Sequence, residues 1–173
     1  LEFLRQGGLN SLVKLLICQK WQIVAVTLET LRFLFDSCVT KETIEFMKQN
    51  SHIYSKMWEK IADNNKNVAA RNLKHDLAHL GQGSEGFTYI VKAANNFARQ
   101  KNKSPFTELI ASLKKEKWDV DLVAVALQLI NFLLVKCPSD KKMATLLARL
   151  ENIGLYDELR ALSTIKDHKL LLA

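Results

Sequence analysis

The stretch LVAVALQLINFLLV, residues 122–135, decides how the rest of the chain reads. Only Gln128 and Asn131 interrupt its apolar character. A membrane span needs about 20 such residues, so the stretch is too short to cross a bilayer. It is also longer than an ordinary strand, and it predicts a helix that is apolar on nearly every side. Such a helix has to be covered from more than one direction. Asp119 or Asp121 is placed to start it, and Pro138-Ser139 ends it and caps a further helix over 143–150.

The same pattern occurs earlier in the chain. Val24, Ala25, Val26, Leu28, Phe33 and Leu34 match Val123, Ala124, Val125, Leu127, Phe132 and Leu133 at a separation of 99 residues. Trp21 and Trp118 precede the two copies. A weaker middle copy runs from Val68 through Leu73 and Leu77. Each long apolar helix follows a shorter one, over 9–17, 53–61 and 106–113. Repeats of about 40–47 residues are the mark of armadillo and HEAT units. One unit cannot cover its own apolar face, so neighbours stack. The expected fold is therefore all-α, a right-handed superhelix of armadillo/HEAT-like helical repeats. Residues 1–173 are expected to be a single domain of about three to four repeats, part of a longer protein.

The punctuation agrees with helices throughout. Gly7-Gly8 precedes the first, Thr40 and Ser51 can cap the two that follow the long helix over 23–35, and Gly81-Gln82-Gly83 stops the helix over 68–80. Ser84 opens a long helix through Ala98. Ser104-Pro105 reads as an N-cap with proline in the first turn. Gly154 breaks the chain before a helix over 155–162. Six glycines and two prolines in 173 residues are too few for a strand-rich fold, which turns every 8–12 positions.

The formal charge is +7, which favours acidic partners, anionic lipid or nucleic acid. The lysines cluster mildly at Lys101, Lys103, Lys114, Lys115, Lys117, Lys141 and Lys142, without interleaved aromatic rings for stacking on bases. Three cysteines, Cys18, Cys38 and Cys137, have no ligand spacing. Each sits in or beside an apolar helix, as free thiols of a reducing compartment do.

Two motifs invite a chemical reading. His75 and His79 lie one helical turn apart, as in a two-histidine zinc helix, but Asp76 stands where the general base would be Glu and no third ligand is in view. Residues 81–86 fit G-x-G-x-x-G, yet a dinucleotide site needs a preceding strand and a βαβ frame. A helix–helix turn accounts for it better. No cofactor, metal site or catalytic set is expected, and the chain is read as a binding module, not an enzyme.

Polar positions on the otherwise apolar long helices are more informative. An unpaired polar group facing a packed layer costs about 1–3 kcal/mol. Thr27, Thr30, Arg32, Gln128 and Asn131 are therefore expected to face an open concave groove.

Leu127-Gln128-Leu129-Ile130-Asn131, then Pro138, Asp140 and Ile153-Gly154-Leu155, resemble the formin homology 3 region, the armadillo part of diaphanous-related formins. Residues 3–12 resemble the family's opening helix pair with its Gly-Leu, and Leu28 to Phe35 its first long helix. The helix from Ser84 to Lys103, followed by Phe106, resembles the long helix before its last full repeat. Leu147 and Arg149 depart from the family's Arg-x-Glu, and His75 and Asp76 stand where the family is apolar.

The resemblance implies a regulatory part of a cytoplasmic, cytoskeleton-associated actin-assembly protein. Its concave surface would hold an autoinhibitory amphipathic helix from the protein's own C-terminus. A Rho-family GTPase would release that helix, with only part of the GTPase site present here. Actin would be bound through other domains. By position, the groove residues would be Arg32, Ile44, Ala78, Gln128 and Asn131. Two other readings stand beside this one: the armadillo scaffold of an engulfment-and-motility protein, and a basic armadillo module that binds nucleic acid or, peripherally, anionic membrane.

Overall fold

The computed structural model describes residues 3, 6–37, 58–59, 73–74, 84–114 and 119–164. Seven helices are bounded within them: α1 (Gly8–Leu16), α2 (Trp21–Ser37), α3 (Ser84–Lys101), α4 (Thr107–Ala111), α5 (Val120–Val135), α6 (Asp140–Asn152) and α7 (Leu155–Ser163). Trp58–Glu59 and Leu73–Lys74 are helical too, and no strand occurs among the described residues. The fold is all-α, as the apolar periodicity requires.

The helices start where local chemistry permits. Gly7 takes φ 76°, a left-handed conformation that glycine adopts without a Cβ penalty, and α1 follows it. The Phe3 ring, itself exposed, lies over Gly8 where a Cβ would make it turn aside. The Asp119 carboxylate accepts from Leu122 N at 3.1 Å and caps α5. Ser139 Oγ accepts from Lys142 N at 3.4 Å and caps α6. Gly154, at φ 95°, joins α6 to α7.

One start differs from expectation. Ser104 is not the N-cap of α4, and Pro105 is not in its first turn. α3 ends in a Schellman arrangement, with Asn102 left-handed at φ 51° and Lys103 N donating to Ala98 O at 2.9 Å. The chain turns again at Phe106, which takes φ 69° and ψ 2°. Those are the angles of the third position of a type II turn, where proline in the second position is common. Thr107 then closes the turn, its N and Oγ1 donating to Ser104 O at 3.3 and 2.7 Å. A bulky residue in this region is an outlier. The compensation is burial. The Phe106 ring is enclosed and meets the Trp58 ring edge-on, with centroids 5.7 Å apart. The local Ser-Pro signal yields to an aromatic contact distant in sequence.

One apolar cluster runs through the described residues from Leu9 to Leu155. α1 packs against α2, α5 against α6, and α6 against α7. Leu28, Leu31, Ile90, Leu109, Ala126, Leu129, Leu133 and Leu150 are fully enclosed. Glu108 is buried in α4, and its carboxylate pairs with the half-exposed Lys103 ammonium across the α3–α4 turn. Replacing Phe106 by Gly tests the balance at this turn. It removes a left-handed cost of about 1–2 kcal/mol and forfeits ring burial worth about 3–5, so a net loss of about 2 kcal/mol is expected in denaturant titration.

Candidate functional site

Each long apolar helix leaves one stripe open. On α2, Val24, Ala25, Thr27, Leu28 and Leu31 are buried, while Gln22, Val26 and Phe33 are exposed. On α5, Leu122, Val123, Val125, Ala126, Leu129, Ile130 and Leu133 are buried, while Asp121, Gln128, Asn131 and Val135 are exposed.

These stripes correct the repeat offset. The letters match at 99 residues, but burial matches at 98. At 98, Val26 pairs with Ala124, Thr30 with Gln128, Leu31 with Leu129 and Phe33 with Asn131, and the burial patterns coincide. At 99, Val26 would pair with Val125, yet the first is 65% exposed and the second 5%. One residue of slip rotates a helix position by about 100°, enough to move a side chain from surface to core. Identical letters at this spacing therefore mark different faces.

The anticipated groove residues fall out as follows. Gln128 and Asn131 are exposed, one turn apart, on the same face of α5. Arg32 is partly buried, and its guanidinium pairs with the Glu29 carboxylate one turn back. Its equivalent at 98 residues is the buried Ile130, so Arg32 flanks the α2 stripe. Ile44 and Ala78 lie outside the described residues. Thr30 is partly exposed and donates to Val26 O at 2.9 Å. Thr27 does not face an open groove. It is buried, and its hydroxyl donates to Ile23 O at 2.7 Å, which satisfies it within its own helix.

The sequence reading missed two residues. Val26 and Phe33 are exposed, Phe33 by 63%, at the positions equivalent to Ala124 and Asn131. Their apolar character hid them, because only polar interruptions mark a surface stripe on an otherwise apolar helix. The α2 stripe is thus mainly apolar, Val26 and Phe33 beside Gln22, and the α5 stripe is mainly polar. Trp21, 46% exposed at the start of α2, falls by register on another side of the helix from Val26 and Phe33, and Trp118 lies outside the described residues.

His75 and His79, and Gly81 to Gly83, also lie outside the described residues. Among the described residues no three His, Cys, Asp or Glu side chains gather. Cys18 and Cys137 are free thiols, partly buried. On α7 the Tyr156 hydroxyl is held above its ordinary pKa by its hydrogen bond to Glu151 and by that carboxylate's charge. No helix among the described residues is long and apolar enough to cross a membrane.

The family model of the FHOD1/3 FH3 domain matches residues 27–157, from within α2 to the first turn of α7. The chain belongs to the formin homology 3 family. Its helices are accordingly an armadillo-like repeat array, and the chain is a formin regulatory module. The match also separates it from the engulfment-and-motility scaffold. It is 25% identical over 170 residues to Formin-G of Dictyostelium discoideum, covering 97% of this chain and 15% of that protein. This FH3 chain therefore spans less than a sixth of the relative it matches.

Two substitutions with the same letters test the 98-residue register. Val125→Asp places an unpaired carboxylate in the core and should lower stability by more than about 4 kcal/mol. Val26→Asp should stay within about 1 kcal/mol, both read by thermal or chemical denaturation.

Proposed function

We propose that this FH3 chain, acting as one unit over residues 1–173, restrains a formin-like actin-assembly protein by holding a helix from the same protein's C-terminus. Family membership is the observation that carries this reading. The open stripes of α2 and α5, which fall at equivalent repeat positions, supply candidate contacts. An amphipathic helix docks through apolar anchors at i, i+3/i+4 and i+7. Val26 and Phe33 would receive those anchors. Gln128 and Asn131 would hydrogen-bond polar groups at the other end and fix the register. Ile44 and Ala78 would line the middle, with Arg32 at its edge. A Rho-family GTPase would displace the helix by occupying the first repeats together with a segment outside this chain. Actin would be engaged by other parts of the full-length protein, in a cytoplasmic, cytoskeleton-associated setting.

The test uses a labelled C-terminal fragment of the full-length protein and fluorescence anisotropy. Phe33→Ala removes an apolar contact worth about 1.5–3 kcal/mol, so binding should weaken ten- to a hundredfold. Asn131→Asp and Ala78→Asp should each weaken it about tenfold or more, the cost of one buried unpaired polar group. If all three variants bind as the parent does, the groove assignment fails. Addition of an activated Rho-family GTPase should lower the anisotropy; no change would remove the release step.

A further inference from the structure

The turn between α1 and α2 carries side chains that the groove leaves unused. α1 ends at Leu16 and α2 begins at Trp21. Leu15, Ile17 and Trp21 are exposed there, Ile17 by 64%. Gln19 and Lys20 are exposed between them, and the exposed Lys14 precedes them. By register Leu15 and Ile17 stand on opposite flanks of α1, so the set shares an end of the helix pair and not a side of it. Lys14 and Lys20 form no ion pair among the described residues. From residue 3 to residue 28 the sequence contains no Asp or Glu. Folding does not account for the set. An isoleucine left in water forgoes the gain of burial. The first turn of α2 has no acidic residue, so Lys20 stands at the positive end of a helix dipole, where a cation costs stability.

The chemistry present narrows the partner. It must accept an aliphatic side chain, an indole and ammonium groups together, at a protruding end. A base can stack on Trp21, but nucleic acid offers nothing to Ile17, the most exposed of the apolar groups. A second copy in a two-fold contact would set the same lysines toward one another. The buried centre of a protein interface is poor in lysine. The interface of an anionic bilayer takes all of these groups. Tryptophan sits at headgroup level, aliphatic side chains reach the acyl boundary, and lysines bury their stems while their ammonium groups stay among the lipid phosphates.

We propose that the α1–α2 turn enters the headgroup layer of an anionic lipid bilayer end-on, with Ile17 and Trp21 inserted and Lys14 and Lys20 paired with the lipid headgroups. The association is peripheral and weak for one copy. Each lysine contributes about a fivefold gain in partition. Ile17 contributes about tenfold, as befits a side chain with most of its surface still to bury. The proposal does not depend on the groove reading, since no residue of either stripe takes part.

The test is vesicle flotation with the 173-residue chain, comparing phosphatidylcholine vesicles with vesicles containing about one-third phosphatidylserine. Stronger binding to the anionic vesicles is expected. Ile17→Ser should lower the partition about tenfold, and Lys14→Gln and Lys20→Gln about fivefold each. These side chains are exposed, so the variants should melt as the parent does. Raising salt from about 0.1 M to about 1 M shortens the screening length from roughly 10 to roughly 3 Å and should remove most of the lysine contribution, about twentyfold in all. Lys92→Gln with Arg99→Gln, on α3, and Phe33→Ala, in the groove, should each leave the partition within about twofold. Binding to neither vesicle, equal binding to both, or a partition unaltered by Ile17→Ser and Lys20→Gln overturns the proposal. So does a dimer in solution that Ile17→Ser dissolves, or single-stranded DNA held more tightly than anionic vesicles and released by Trp21→Ala.

Discussion

The whole arrangement depends on α2 and α5 being too apolar to stand alone. A helix with buried residues around most of its circumference is stable only when neighbours cover it from several directions. α1 meets α2 and α6 meets α5, while Phe106 and Trp58 join the single apolar cluster that both long helices belong to. Because the covering is supplied by preceding and following helices, each repeat depends on the next, and the array is stable as a stack and not as separate units. The one stripe on each long helix that no neighbour covers is what the fold leaves available for recognition.

Much of this was legible in the sequence because it is a matter of apolar period. The extents of α2 and α5, the Asp119 and Ser139 caps and the Gly7 and Gly154 junctions all follow from local composition. The α3–α4 turn was not legible. Ser104-Pro105 carries a strong local helix-start signal, and what overrides it is the edge-on contact of Phe106 with Trp58, nearly fifty residues away. Thr27 was misread for a related reason. A threonine in a helix can satisfy its hydroxyl on the carbonyl one turn back, so polarity alone does not place it on the surface.

The candidate site was half legible. Gln128 and Asn131 are visible because they interrupt an apolar run. Val26 and Phe33 are invisible for the same reason, since they continue one. The two copies therefore differ in chemistry at one exposed equivalent position, apolar Phe33 on α2 against polar Asn131 on α5, even though their letters match well one residue out of step. Matching letters marked the repeat, and burial marked the geometry on which binding would have to act. Family membership is what turns these open stripes into a proposal about a formin tail.

The chain reversals differ in kind. Gly7 and Gly154 reach left-handed angles without cost and Asn102 at little, whereas Phe106 is held there against its preference. A glycine enlarges the range of conformations open to an unfolded or partly opened chain, and a residue with a side chain curtails it. Among the described reversals, the one between α3 and α4 is thus the stiffer, and the glycine junctions before α1 and after α6 are the more compliant. Strain introduced near the α3–α4 turn would therefore be passed on to the Phe106–Trp58 contact and not absorbed in the backbone there.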